Sequence, residues 1–192
     1  AAASEMAIWQ QRALFASELH GLVLADKQLL NVMVPGQFEY LAVHGDTALT
    51  YDTQVDQVQG ISLSFSNTQR LSLLPKRAFQ VEWLCLQPRL ADGKRYAWIG
   101  DDAGHSEQWL LSSGGEWQPQ LVRSLAVSMG ALKCAVDDNE QLFVLDNHRG
   151  VGRYPAAPHM ADESELVSYL PDNQYSGLAF DNGNIVLMAE SG

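Results

Sequence analysis

Three pairs of adjacent acids, Asp101-Asp102, Asp137-Asp138 and Asp162-Glu163, stand in turn-like stretches of this 192-residue chain. Carboxylates grouped in this way supply the oxygen ligands that calcium gathers in sets of roughly six to eight. Asp and Asn also occupy such places because they suit tight turns, and that reading is the simpler one. A second group is cationic. Lys76-Arg77, Lys133, Arg149 and Arg153 would hold a phosphate if the fold brought them together, whereas scattered charge would simply be solvated. Lys133 stands out because it lies within an apolar run. The five histidines, His20, His44, His105, His148 and His159, are scattered, and none stands three or four residues from another. The chain has no phosphate loop, no His-Glu-x-x-His, no Gly-x-Ser-x-Gly elbow and no paired Cys-x-x-Cys spacing.

The elements that would position these groups follow one plan: a short apolar strand, an Asp/Asn/Gly turn, then a second, almost wholly apolar strand. Val81-Glu82-Trp83-Leu84-Cys85-Leu86 leads through Asp92-Gly93 to Tyr96-Ala97-Trp98-Ile99-Gly100. Leu132 to Val136 leads through Asp137-Asp138-Asn139 to Leu142 to Asp146, and Gly177 to Phe180 leads through Asn182-Gly183 to Ile185 to Ala189. Glu82, Lys133 and Gly177 are then equivalent points, 51 and 44 residues apart. That is the period of a four-stranded propeller blade, not of a helical repeat. Lys133 falls on a first strand, where a propeller's residues approach the central channel. Cys85 and Cys134 fall on first strands of neighbouring blades. A disulfide is permitted there, but buried free thiols are the expectation.

The same template organises the rest. Ser4 to Leu19 has near-helical spacing of Met6, Trp9, Ala13 and Phe15, but turn-like breaks favour strands at Ala13 to Ala16, His20 to Leu24 and Gln28 to Val34. Phe38 to Val43, Thr47 to Tyr51, Gly60 to Phe65 and Arg70 to Leu74 make the next blade. Gln108 to Leu111 and Gln120 to Leu125 complete the third; Gly150 to Pro155 and Leu166 to Leu170 complete the fourth. The expected fold is all-β: a partial propeller of about four four-stranded blades plus the start of a fifth, in one domain over residues 1–192. Its open sheet edges call for a covering partner or a homodimer.

Composition narrows the function. A formal charge of −11 argues against sequence-independent nucleic-acid binding and against anionic membrane surfaces, both of which need clustered Lys and Arg. No run of about 18 apolar residues provides a membrane-spanning helix.

Residues 121–190 resemble the middle of a β-propeller phytase, a calcium-dependent 3-phytase that removes phosphates from inositol hexakisphosphate. The carrying segments are LVRSLAVSMGALKCAVDDNEQLFVLDNHRGVGRYPAAP and YSGLAFDNGNIVLMAESG. The first is similar to the family's Ala-Asp-Asp turn, the strand after it and a Trp-Arg/Lys-Tyr/Phe-x-Ala-x-Pro strand; the second resembles its Glu-Gly-Leu strand and Leu-Leu-Ala-Ser-Ser ending. Ala7-Ile8-Trp9 resembles the family's opening. The resemblance implies calcium as cofactor and a secreted or periplasmic location.

Departures from the family pattern carry the functional expectation. Where the family places acidic calcium ligands, this chain has Leu132, Asn147 and Ser176; where it places a phosphate-binding lysine, this chain has Asp101. Leu132 and Ser176 bring no charge to calcium, and Asp101 would repel phosphate. Some phytases carry an incomplete propeller ahead of a complete catalytic one, so the resemblance implies an accessory, non-catalytic N-terminal domain assisting a downstream catalytic phytase domain. Two alternatives stay open. One is a calcium-dependent phosphohydrolase completed by dimerisation or a partner, with Lys133 and Arg149 on phosphate. The other is a protein- or glycan-binding propeller module, which exposed Trp98, Trp109 or Trp117 would support.

Overall fold

The computed structural model describes residues 3–146, 150–155, 175–181 and 184–189. The expected strand at Leu166 to Leu170, the acids Asp162-Glu163, and Asn147, His148, Arg149 and His159 lie outside them.

Every element among the described residues is a strand. The first sheet contains β1 (Ala3–Trp9), β2 (Arg12–Ser17), β3 (Gly21–Asp26) and β4 (Leu29–Val34), antiparallel and in chain order. The second contains β5 (Phe38–His44), β6 (Thr47–Asp52), β7 (Gln57–Ser62) and β8 (Gln69–Leu73) in the same order. The third runs β9 (Trp83–Leu86), β10 (Arg95–Gly100), β11 (His105–Ser113) and β12 (Glu116–Ala126). After it come β13 (Ala131–Val136), β14 (Gln141–Asp146) and β15 (Gly150–Pro155) in one sheet, and β16 (Tyr175–Asp181) with β17 (Asn184–Ala189) in another. Neighbouring strands joined by short turns in up-and-down order are the blade plan that the repeats predict.

Local chemistry sets these turns. Ser17 Oγ accepts hydrogen bonds from the amides of Leu19 and His20, both at 3.2 Å, and closes the β2–β3 connection. Gly21 then adopts φ +93°, and a Cβ there would meet the Val34 carbonyl and lie 2.6 Å from the Gly36 amide nitrogen. Only glycine lets β3 start that close to the end of β4.

Two boundaries differ from the sequence reading. β1 forms one edge of the first sheet, ahead of the three strands expected from Ala13 to Val34. β7 begins and ends about a turn earlier than Gly60 to Phe65. Asp52 Oδ1 accepts the Gln54 amide at 3.0 Å and Asp56 takes φ 57°, so Gln57 enters the ladder opposite Asp52. At the far end the Ser64 amide donates to Thr68 Oγ1 at 3.0 Å, which in turn donates to the Ser64 carbonyl at 2.6 Å, drawing Phe65 out of the strand.

The chain divides into two compact units, Ala1–Leu86 and Gln87–Gly192. In the first, alternate residues of the first and second sheets interdigitate: Trp9, Leu14, Leu22 and Leu24 pack with Phe38, Leu41, Ala48 and Ile61. Such packing of two sheet faces is what stacks blades. In the second, Ala135, Phe143, Leu145 and Val151 pack with Leu178, and Leu187 leans on the same cluster.

Candidate functional site

Three glutamates of the first unit, Glu5, Glu39 and Glu82, concentrate charge around one tyrosine. β5 carries a register shift between Glu39 and Leu41, and Tyr40 between them takes φ 58°, an unusual conformation for an aromatic residue. Thr50 holds the distortion by donating Oγ1 to the Tyr40 carbonyl at 2.6 Å. Glu5 of β1 accepts the Leu41 amide through Oε2 at 3.3 Å. Burial, then the charges of Glu39 and Glu82, pushes the Tyr40 hydroxyl up to about 12; its hydrogen bond to Glu39 and the charge of Glu5 add to the same direction. Burial and then Glu18 raise the Glu39 carboxyl, against a lowering by Tyr40. This surface attracts cations and repels anions. Glu82 was visible in the sequence only as an equivalent point of the repeat; the bulge that sets Glu39 beside Tyr40 has no local sequence signal.

On the same unit, a cleft of about 410 Å³ opens between β3–β4 and the loop after β7. Asp26, Asn31, Ser64, Asn67 and Thr68 line it together with Phe65. Phe65 is stacked 4.5 Å from Trp9 and carries the Arg12 guanidinium 4.7 Å from its centroid, and Arg12 is paired with Asp26 at 3.2 Å. The indole nitrogen of Trp9 donates to Asp46 at 3.1 Å, which fixes the platform.

In the second unit, Asp101 serves a turn. Its Oδ1 accepts the amides of Ala103 and His105 at 3.0 and 2.9 Å, while Oδ2 lies 2.7 Å from His105 Nδ1. The residue is buried, and these bonds close the β10–β11 hairpin. Asp137 does the same for β13–β14, accepting Asn139 and Gln141 amides at 3.0 and 2.8 Å. Leu132 sits at a register shift between Ala131 and Lys133 and is 42% exposed; Lys133 is half-buried, opposite Leu145. Ser176 lies on β16, its side chain outside the described residues, as are Asn147 and Arg149. Lys76, in the first unit, pairs with Asp56 at 3.4 Å. Among the described residues, no group of three or more His, Cys, Asp or Glu side chains is placed to hold a metal ion.

One expectation needs correction. Cys85 and Cys134 are both disulfide-bonded and leave no free thiol, in place of the buried thiols expected. Trp98 and Trp109 are core residues, 0% and 2% exposed, so they present no rim for a partner; Trp117 is half-buried. Their surroundings explain it. Gln108, fully buried, donates to Gln87 Oε1 at 3.0 Å and accepts from Arg123 Nε at 3.1 Å, and the Arg123 guanidinium lies 5.2 Å from the Trp98 ring centroid. Trp109 donates to Glu107 at 3.3 Å. Arg95 is buried nearby in the same sheet, and burial, then Arg89, lowers its pKa. The apolar parts of these long side chains pack while their polar ends bond to one another.

No protein-family model and no curated protein sequence matches the chain. Solved structures do. The chain is similar to one in a nidogen/laminin complex, with TM-score 0.61, 13% identity, 93% of this chain and 67% of that one covered. It is similar to the computationally designed Ika8 protein, with TM-score 0.68, 13% identity and coverage of 98% and 55%. It is also similar to YCF48 bound to a D1 peptide, with TM-score 0.56, 11% identity and coverage of 94% and 59%. The chain therefore spans little more than half of the last two. These likenesses, with the sheets above, establish a β-propeller-like fold.

Proposed function

We propose that residues 1–192 form an accessory, non-catalytic propeller module of a secreted or periplasmic phytase, acting by docking to or stabilising a downstream catalytic domain. The observation that carries this reading is Asp101. At the position where the resemblance expects a lysine on phosphate, its carboxylate is buried and spent on two turn amides and His105. Leu132 supports it, presenting an apolar side chain where the family has an acid. Capture of phytate is the least favoured form of assistance, because Glu5, Glu39 and Glu82 would repel a polyanion. Bonded cysteines accord with an oxidising compartment. Two of the similar structures are described as complexes with a protein or a peptide, which accords with docking.

The test compares the full-length protein with a version lacking residues 1–192. A docking or stabilising module predicts a lower melting temperature for the shortened enzyme with KM for phytate unchanged within about twofold. A KM rise above about tenfold with unchanged stability would instead assign substrate capture and refute this form of the reading.

A second reading rests on the cleft at Phe65. The amide and hydroxyl groups of Asn31, Ser64, Asn67 and Thr68, with the Arg12-paired Asp26, beside an aromatic platform suit a small polyhydroxy ligand such as an oligosaccharide. Trp9, stacked on Phe65, supplies the readout: saturable fluorescence change with soluble oligosaccharides supports it, and none up to about 10 mM excludes it.

A further inference from the structure

The outer face of the first sheet is apolar across all four strands. Register places Ile8 opposite Ala13, Ala13 opposite Ala25 and Ala25 opposite Leu30. One row along, Met6 faces Phe15, Phe15 faces Val23 and Val23 faces Val32. Alternation sends these eight side chains to the side away from Leu14, Leu22 and Leu24, which pack in the core. Neither row contains an ionisable residue, in a chain of net charge −11. On the two edge strands the side chains stand in the open: Met6 is 57% exposed, Ile8 64%, Leu30 73% and Val32 52%. On the central strands Ala13, Ala25 and Val23 are small, Val23 being only 9% exposed, and the larger Phe15 is half-buried.

We propose that this face is a two-fold interface with the same face of a second copy of the chain. Three observations select that occupant. The face is one uncharged area on a strongly acidic molecule, so two copies meet there with the least repulsion. Its relief is self-complementary along one row: the exposed Ile8 and Leu30 flank a trough over Ala13 and Ala25, and strands about 4.8 Å apart make that trough wide enough for one such side chain of a partner. Under a two-fold rotation one such side chain of each copy enters the trough of the other, the isologous contact of most dimers. Area is the third. The exposed apolar surface is on the order of 500 Å² per copy, the size of the largest and often functional patch on a soluble protein. Doubled, it gives about 1,000 Å², the low end for specific association, so a micromolar, concentration-dependent dimer is expected. This contact joins sheet faces, not the open edges considered above, and it does not depend on the phytase reading.

Sedimentation equilibrium of residues 1–192 from about 1 to 200 μM reads the association directly. The wild-type chain is expected to show a monomer–dimer equilibrium, and Ile8→Lys and Leu30→Lys each to raise the dimer Kd at least about tenfold. Both sites are exposed, so the folded monomer should keep its circular dichroism spectrum and melting curve. Met129→Lys, at another exposed apolar position (72%), should leave the Kd unchanged. In a mixture of methyl-labelled and unlabelled chains, intermolecular contacts should join Ile8 or Leu30 to Met6, Ile8, Leu30 or Val32 of the other copy. A wild-type chain that stays monomeric at the highest concentration overturns the proposal, and the face then belongs to a different occupant such as a catalytic domain. A dimer that survives both lysine substitutions, or contacts that join this face to a different one, overturns it equally.

Discussion

Replacing Gln108 with leucine should destabilise the second unit far more than an ordinary polar-to-apolar exchange, because a fully buried partner and a half-buried one lose their bonds together. Gln108 has no solvent exposure; its amide donates to Gln87 Oε1 at 3.0 Å and its carbonyl oxygen accepts Arg123 Nε at 3.1 Å. Gln87 is also fully buried, so its oxygen has no access to water once Gln108 is removed. Arg123 is half-buried and recovers part of its loss. One unsatisfied buried group costs about 1–3 kcal/mol, so Gln108→Leu is expected to cost about 2–4 kcal/mol. That is a large part of a stability of roughly 5–15 kcal/mol. The melting temperature should fall by about 5–12 °C. Urea unfolding followed by circular dichroism measures the loss. The double variant Gln87→Leu/Gln108→Leu separates the causes: with both amides gone, no orphan remains between them, and the cost should be less than the sum of the single variants by at least about 1 kcal/mol. Strict additivity, or a Gln108→Leu effect within about 0.5 kcal/mol, would refute a polar network as the organiser of this sheet.

Other consequences follow from particular residues. Gly21→Ala forces a side chain against the Val34 carbonyl at a φ of +93°, and a loss of about 2–4 kcal/mol is expected on urea unfolding; a loss below about 0.5 kcal/mol would contradict that close approach. Ultraviolet titration at the phenolate band should show one of the six tyrosines ionising near 12, and Tyr40→Phe should remove that step. Because the fold holds Tyr40 neutral while the unfolded chain ionises near 10, its contribution to stability is present below about 10 and is lost as pH rises toward 12. For the raised Glu39 the sign runs the same way at lower pH: its protonated form is favoured in the fold, so its contribution is lost as pH rises through the carboxylate range. Denatured, unreduced protein should contain no titratable thiol and reduced protein two; two thiols without reductant would contradict the bonded cysteines.

The architecture was legible because blades are built from local signals. Asp92-Gly93 and Asp137-Asp138-Asn139 mark hairpins whose side chains bond the next amides, as Asp92 does with Lys94 at 3.0 Å. Apolar runs such as Tyr96 to Gly100 mark strands buried on both faces. Residues whose roles depend on distant partners were not legible. Gln87 and Gln108 are 21 positions apart and read as two ordinary polar residues until register brings them together. Trp98 and Trp109 could have faced a rim or a core, and only the alternation of their strands decides. Tyr40 is ordinary in the sequence, and its positive φ arises from a bulge that Thr50 holds across the hairpin. The substitution at Asp101 was visible, but its bonding to a turn required the hairpin geometry.

Phosphate release from phytate by residues 1–192 alone, with calcium saturating, tests the functional account most directly. The buried, turn-bonded Asp101 and apolar Leu132 predict no release above the uncatalysed background. Turnover at about 1 s⁻¹ or faster, in the ordinary range of enzymes, would contradict it.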